Sequence, residues 1–228
     1  YPDGIANPVL ANACKFIKNM VYKHNWPVMH HLPTKVWQQM MQVLLAPGVE
    51  QEIRDDIIAT LEGIFIKFSD TFGDDVDTVI QEGKLLEELQ KMDQPSEVLT
   101  ILSRLCETTP TTNYHATQII NHYPQLVTKI MDSLSSQNET VIIKSMNCLN
   151  NLLKNNNHLL FTKSNYAEPL WTFLMKTDCV SLTEEYHEKY TTLWSNTITV
   201  LKNMSVSNMS ESAQKIWNEL SSKHPQYV

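Results

Sequence analysis

Glycine is scarce in this sequence, and its scarcity argues against a β-sheet protein. Only 5 of the 228 residues are glycine, and alternating β-branched runs between glycine-rich turns are missing. Sheets need such turns and such alternation. Leucine, methionine, lysine, glutamate and glutamine are abundant instead, and all five favour helices. The composition therefore predicts an all-α fold.

The chain also lacks long apolar runs and regularly spaced cysteines. No segment approaches the about 20 consecutive apolar residues of a membrane-spanning helix, and no signal peptide is recognisable. Because Cys14, Cys106, Cys148 and Cys179 stand singly, without the spacing of a metal site or a disulfide framework, we expect reduced thiols and a cytoplasmic location. The sequence begins at Tyr1 rather than at methionine, which predicts a fragment of a longer chain.

Charge is distributed unevenly along the chain. Residues 50–97 include 14 acidic and 4 basic side chains, a net charge of −10, whereas the remainder has 11 acidic and 14 basic, a net of +3. The acidic third fits either a solvated helix face or a basic partner. Arginine occurs only at Arg54 and Arg104, and no basic stripe interleaved with aromatic residues is present. Binding to nucleic acid or to a membrane is therefore not expected.

The clearest amphipathic helix is predicted over residues 139–155. Asn138 stands at its N-cap position, and the asparagine run 155–157 is expected to end it, because asparagine competes for backbone hydrogen bonds. Residues at helical spacing define one broad face that a neighbour must cover. They are Val141, Ile142, Ser145, Met146, Leu149, Leu152 and Leu153.

Similar reasoning predicts the other helices and the tryptophan positions. Proline and glycine breaks separate helices at 8–24, 35–46, 49–72, 75–82, 84–92, 95–108, 113–122, 125–135, 158–163, 168–176, 183–205 and 210–223. Trp37, Trp171, Trp194 and Trp217 lie within helices among apolar neighbours, so they are predicted core residues.

The long helices share a core pattern that recurs along the chain. Large apolar residues stand at i and i+3 in five segments, IKNM at 17–20, LEGI at 61–64, LSRL at 102–105, LNNL at 149–152 and LKNM at 201–204. Their first positions are 44, 41, 47 and 52 residues apart. Armadillo and HEAT units repeat every ~40–47 residues, so the last interval would contain an insertion.

These segments resemble the armadillo family, whose third helix typically has a Leu-x-Asn-Leu core, here LNNL at 149–152 and LKNM at 201–204. The resemblance implies that residues 1–228 form a single armadillo-like domain, a right-handed α-solenoid of about four to five irregular repeats. The usual glycine between first and second helices is absent, so HEAT-like packing remains open. The Asn-rich final repeats also resemble rotatin-type centriole-assembly proteins, which implies a role in centriole or cytoskeletal assembly.

In such a stack the long helices line a continuous surface that binds a partner. Residues one turn apart should share an exposed stripe there, and side-chain amides supply the donors and acceptors that an extended peptide needs. The candidate partner-binding residues are Lys15, Asn19, Asn147, Asn151, Lys154, Asn155, Thr199 and Asn203, with Trp26 as a separate surface candidate in a connector. The alternative for each asparagine is a hydrogen bond to a backbone group within its own repeat.

One departure from the family limits what the resemblance implies. Nuclear-import receptors of this family place tryptophan one turn before the asparagine, whereas Lys15, Asn147 and Thr199 stand there in this chain. Recognition of basic import signals is therefore not expected.

No constellation of catalytic or metal-ligating residues is recognisable in the sequence. A glycine-rich phosphate loop and a nucleophile elbow are both missing. Glu184, His187 and Glu188 fit solvated charges at the start of a helix. We therefore expect a non-enzymatic scaffold or adaptor that binds another protein without a cofactor or metal. The alternatives are a structural spacer within a larger protein and an all-α enzyme with a distributed site.

Overall fold

The computed structural model describes residues 11–16, 19, 40, 43–44, 49–50, 52–57, 60, 86–87, 89–93, 95–107, 114–154, 157–176, 183–223 and 225. Every regular element in these ranges is helical, so the predicted all-α class is confirmed for them. None of their helices is both long and apolar enough to cross a membrane. Contacts divide the chain into two compact units, Tyr1–Gln94 and Pro95–Val228. The expected single repeat domain over residues 1–228 stays a prediction.

The first unit is described only in short stretches. Residues 11–16 and 52–57 are helical, and the Lys15 ammonium donates to Glu52 Oε1 at 2.6 Å between them. The buried apolar side chains described in this unit are Cys14, Met40, Leu44, Ile53, Ile57, Leu86, Leu89 and Met92.

The second unit contains eight α-helices in its described part, each close to a predicted position. They are α1 (Pro95–Glu107), α2 (Tyr114–His122), α3 (Pro124–Ser133), α4 (Glu139–Leu152), α5 (Leu159–Thr162), α6 (Ser164–Lys176), α7 (Glu184–Asn203) and α8 (Glu211–Lys223). A 3-10 turn, Val206–Asn208, connects α7 to α8.

Side-chain caps begin several of these helices. Asn138 Oδ1 accepts a hydrogen bond from the Thr140 N–H at 3.0 Å, as the sequence predicts. Thr183 and Ser210 cap α7 and α8 in the same way, with their hydroxyls accepting from backbone N–H groups three residues later. Each cap satisfies a donor that the first turn of a helix would otherwise leave without a partner.

Two helix ends differ from the prediction. Helix α4 ends at Leu152, before the asparagine run, and Leu153 is buried as its C-cap. Helix α6 begins a turn earlier than expected and contains Pro169. That proline lacks the N–H that would bond to the carbonyl of Asn165, an exposed residue, so the helix continues through it.

The helices of this unit pack in two rows. In the first row, α4 lies between α1 and α7 and packs against both. In the second row, α6 packs against α3 and α8, and α3 also packs against α4. The short helices α2 and α5 contact one another and the second row. Each inner helix is therefore covered by the helices before and after it in its own row.

Helix α4 is buried on more of its circumference than its apolar pattern indicates. The predicted face is buried except for Ile142, which is half-buried. Four further residues of the helix are also buried, namely Ile143, Cys148, Asn150 and Asn151. Burying one leucine side chain stabilises a fold by about 1.5–3 kcal/mol, so packing against three neighbours, more than helix propensity, holds α4 in place.

Three polar contacts fix α1 and α4 parallel to each other. Each contact is a hydrogen bond between the two helices, which we call a tie. The pairs are Lys144–Ser96, Cys148–Leu99 and Asn151–Ser103, separated by 48, 49 and 48 residues. The separation would change steadily along the contact if the two helices ran in opposite directions. Its constancy therefore shows that they run in the same direction.

Helices α4 and α7 are tied in the same way. The Thr183 N–H and hydroxyl donate to Glu139 Oε1 at 3.1 and 2.5 Å, 44 residues apart in sequence. Further along, Asn196 Nδ2 donates to Asn150 Oδ1 at 3.0 Å, 46 residues apart. These two helices are also parallel and begin at the same level.

Candidate interaction surface

Helix α4 and the residues that directly follow it present a polar strip on the side that no other described helix covers. Thr140, Asn147 and Lys154 recur every seven residues, and each is exposed or half-buried. Seven residues are close to two helical turns, so these side chains line up along one side. We call these residues, together with Ser195, Thr199 and Lys202 of α7, the outer strip.

The two central asparagines of the LNNL segment lie on either side of the outer strip and are used between helices. Asn151 Nδ2 donates to both the carbonyl and the hydroxyl of Ser103, at 3.0 and 3.1 Å. Asn150 Nδ2 donates to the Lys189 carbonyl at 3.2 Å, on the opposite side of α4. Adjacent residues on a helix differ by about 100° in direction, so the consecutive asparagines reach the two neighbouring helices.

The expected place of Asn151 on an exposed stripe is wrong. Only 5% of the residue is exposed, and its amide is used by the preceding helix of the row. The alternative considered from sequence is a backbone group within the repeat of Asn151 itself, whereas the carbonyl that accepts this hydrogen bond belongs to α1, which contains the LSRL segment of the preceding predicted repeat. Asn151 therefore holds helices together.

The two candidate residues of α7, Thr199 and Asn203, lie at different heights along the helix axis. Lys154 and Thr199 are 45 residues apart, which matches the separations of the tied pairs, so they lie side by side. The alignment of LNNL with LKNM predicts that Asn203 lies beside Asn151. Asn203 is exposed, but it does not lie there. Both helices begin at one level, and α7 has 20 residues against 14 in α4, so its end projects about 9 Å further.

Asn147 has the most accessible amide of the α4 asparagines that the structure describes. It is half-buried in the middle of the outer strip, and no described residue forms a hydrogen bond with its side chain. About two turns further along the strip, the Thr199 hydroxyl donates to the Ser195 carbonyl at 2.8 Å, so its oxygen can still accept a hydrogen bond. The strip thus offers both donors and acceptors to a ligand.

The remaining candidates are not part of this strip. Lys15 and Asn19 are exposed residues of the first unit. The pKa of Lys15 is raised, chiefly by its hydrogen bond to Glu52. Trp26 and Asn155 lie outside the described residues.

Aromatic side chains join the second row to α7. The rings of Trp171 and Trp194 stack with centroids 5.6 Å apart, and Trp171 Nε1 donates to Glu219 Oε2 of α8 at 3.1 Å. The Tyr190 hydroxyl donates to the Leu174 carbonyl in the same region. Trp171 is buried as predicted, whereas Trp194 and Trp217 are half-buried, and Trp37 lies outside the described residues.

Local sequence patterns do not reveal several polar ties of this surface. The contact of Glu139 with Thr183 is one example, because nothing at either position marks the other as its partner. Asn150 carries a weak signal, since two consecutive asparagines in an apolar segment indicate two polar neighbours. In the described residues, no three His, Cys, Asp or Glu side chains are placed to hold a metal ion.

Comparisons with known proteins identify no relative. No model of a known protein family matches the chain, and no curated protein has a matching sequence.

The tie between Glu139 and Thr183 gives a prediction about pH. Hydrogen bonds from the Thr183 hydroxyl and N–H lower the pKa of Glu139 below its ordinary 4.5. A carboxyl group with a depressed folded-state pKa stabilises the fold above its unfolded pKa, and this contribution is lost as pH falls through the folded value. We therefore expect Glu139→Gln to be less stable than the unchanged chain near pH 7, with the difference shrinking below about pH 4.5.

Urea denaturation between pH 7 and pH 3 measures this difference. The matched control is Glu185→Gln, which removes an exposed carboxylate from the first turn of α7 and leaves the tie intact. A pH-independent difference for Glu139→Gln, or an equal effect of the control, would contradict the assignment.

Proposed function

We propose that the second unit is an armadillo-like solenoid and acts as a non-enzymatic scaffold for protein–protein interaction. The two rows support the repeat architecture, because six of the hydrogen bonds within the rows join residues 44–49 positions apart, and one more joins Asn150 to Lys189 at 39. Stacked repeats produce this regularity, since each layer places the same element beside its counterpart in the next. The proposal extends this architecture to residues 1–94, which makes four to five repeats in all.

The position of Asn147 carries the proposed binding role. Its neighbours Asn150 and Asn151 use their amides between helices, whereas Asn147 faces outward from the centre of the row without a described partner. An extended peptide has backbone N–H and C=O groups that need both donors and acceptors. A side-chain amide beside hydroxyl oxygens meets both needs.

The spacing of the row suits an extended segment of the partner. Packed helices lie about 8–10 Å apart, and an extended chain advances about 3.3 Å per residue. A peptide that crosses from α4 to α7 therefore brings every third residue opposite a new helix. The partner would be read by a repeated pattern of contacts across the outer strip.

The proposed cellular setting is the cytoplasm. Cys14, Cys106 and Cys148 are buried thiols, as in proteins of a reducing compartment, which supports a cytoplasmic location. The resemblance of the final repeats to rotatin-type proteins supports a role in centriole or cytoskeletal assembly.

Blocking the outer strip tests the proposed function. A photoreactive amino acid at position 147 is expected to crosslink the partner from a cell extract, whereas the same group at exposed Thr172 of α6 is not. The crosslinked partner is then purified and its affinity measured by calorimetry. We expect Asn147→Arg to weaken binding at least about tenfold, because a long charged side chain obstructs the strip and displaces the amide.

The matched control is Thr172→Arg, which adds the same charge to the second row. An equal loss of affinity in both variants, or none in Asn147→Arg, would refute binding across the outer strip. The absence of any crosslink at position 147 would favour a spacer that docks to other segments.

A further inference from the structure

Two lysines of the outer strip differ from the other lysines in the part of the chain that the structure describes. Of the lysine side chains that the structure describes, Lys154 and Lys202 alone have no hydrogen-bond or ion-pair partner, and both are exposed. The others are engaged with carboxylates, hydroxyls, carbonyls or further groups. These are Lys15, Lys91, Lys129, Lys144, Lys163, Lys189, Lys215 and Lys223.

The two lysines lie about one helical turn apart along the row. Lys154 is level with Thr199, 45 residues later, and Lys202 is three residues beyond Thr199, about 4.5 Å further along α7. Lys154 directly follows the C-cap of α4, and Lys202 is in the last turn of α7. Thr199 lies at the same level as Lys154 and offers a hydroxyl oxygen. Two like charges are thus placed on neighbouring helices with a hydrogen-bonding group between them.

No carboxylate of α4 or α7 lies near these two lysines. Residues 140–167 and 189–210 contain no aspartate or glutamate. The acidic residues of both helices are confined to their beginnings, at Glu139, Glu184, Glu185 and Glu188. Lysines near a helix C-terminus offset the partial negative charge of that end, which accounts for each lysine singly. This interaction with the helix end does not explain why α4 and α7 both lack a carboxylate near the two lysines, in a chain whose net charge is −7.

We propose that Lys154, Thr199 and Lys202 bind an acidic extended segment of a partner protein. This inference rests on the proposed function and specifies the chemistry of its ligand. Carboxylates of the segment pair with the two ammonium groups, while Thr199 and Asn147 bind its backbone. Because neighbouring helices are about 8–10 Å apart, the two carboxylates belong to residues about three positions apart in the segment.

Three labelled octapeptides test the charge preference. The first contains two glutamates three residues apart among serines and glycines, the second has glutamine at both positions, and the third has lysine. Fluorescence anisotropy in 50 mM salt measures the binding of each to the full chain. We expect the glutamate peptide to bind most tightly and its affinity to fall as salt rises, because exposed ion pairs are screened.

Variants of the chain locate the binding site. Exposed ion pairs contribute little individually, so Lys154→Gln with Lys202→Gln is expected to weaken binding of the glutamate peptide by ~3- to 30-fold. The matched control is Lys215→Gln on α8, whose lysine is exposed but pairs with Glu211. It should leave the affinity unchanged. Thermal unfolding followed by circular dichroism verifies that all variants remain folded.

Several results would overturn the inference. The first is an affinity for the glutamine peptide equal to that for the glutamate peptide. If Asn147→Arg still abolishes binding in that case, the outer strip binds peptides without selecting acidic ones. The second is equal weakening by Lys215→Gln, which indicates general attraction to positive charge. The third is tighter binding of single-stranded DNA at the same two lysines. The last is dimerisation that the double variant abolishes, which assigns the lysines to residues 50–97 of a second copy.

Discussion

Replacing Trp171 with alanine is expected to lower the free energy of unfolding by about 3–5 kcal/mol. The side chain is 8% exposed and joins α6 to two other helices, since it stacks on Trp194 of α7 and donates a hydrogen bond to Glu219 of α8. Its removal leaves a cavity where α6 of the second row meets α7. Urea denaturation followed by circular dichroism measures the loss without depending on tryptophan fluorescence.

Two further variants separate the contributions of Trp171. Trp171→Phe keeps an aromatic ring beside Trp194 but removes the indole N–H, so a smaller loss of about 1–2 kcal/mol is expected. Trp217→Ala is the matched control, because Trp217 is a half-buried tryptophan of the same unit. If Trp171→Ala costs no more than Trp217→Ala, the junction of α6, α7 and α8 does not depend on Trp171.

The helices of the second unit follow from short-range signals. Apolar residues at helical spacing define α4, and the caps at Asn138 and Ser210 form at the positions that their residue types indicate. These signals act within one turn of the chain, so a sequence displays them directly. Helix ends are less regular, because Pro169 is tolerated inside α6 where the lost hydrogen bond falls on an exposed residue.

The packing partners of polar residues do not follow from such signals. Asn147 and Asn151 are one turn apart and have the same side chain, yet the first faces outward and the second is buried against Ser103. The difference depends on how closely α1 approaches α4, which no local pattern specifies. The alignment of LKNM with LNNL fails for a similar reason, since the contact between Glu139 and Thr183 fixes the register of α7 at its other end.

Changing Asn151 to aspartate is expected to destabilise the protein by about 3–5 kcal/mol at neutral pH. The new carboxylate has nearly the shape of the amide, but it would place a buried negative charge against the Ser103 carbonyl oxygen. It also lacks the N–H donor that now bonds at 3.0 Å. Asn151→Ala, which removes the donor without adding a charge, should cost less, about 1–3 kcal/mol, because the Ser103 acceptors lose their partner.

The pH dependence of Asn151→Asp distinguishes the loss of a hydrogen-bond donor from a poorer fit of the side chain in its buried site. Protonation gives the carboxyl group an O–H donor and removes its charge, so the stability of the variant should rise toward that of the unchanged chain below about pH 5. The matched control is Asn147→Asp one turn earlier, where the carboxylate stays hydrated and a change within about 0.5 kcal/mol is expected. Urea denaturation from pH 7 to pH 4 measures both variants. Equal effects at the two positions would mean that the tie between α1 and α4 contributes nothing to holding the row together.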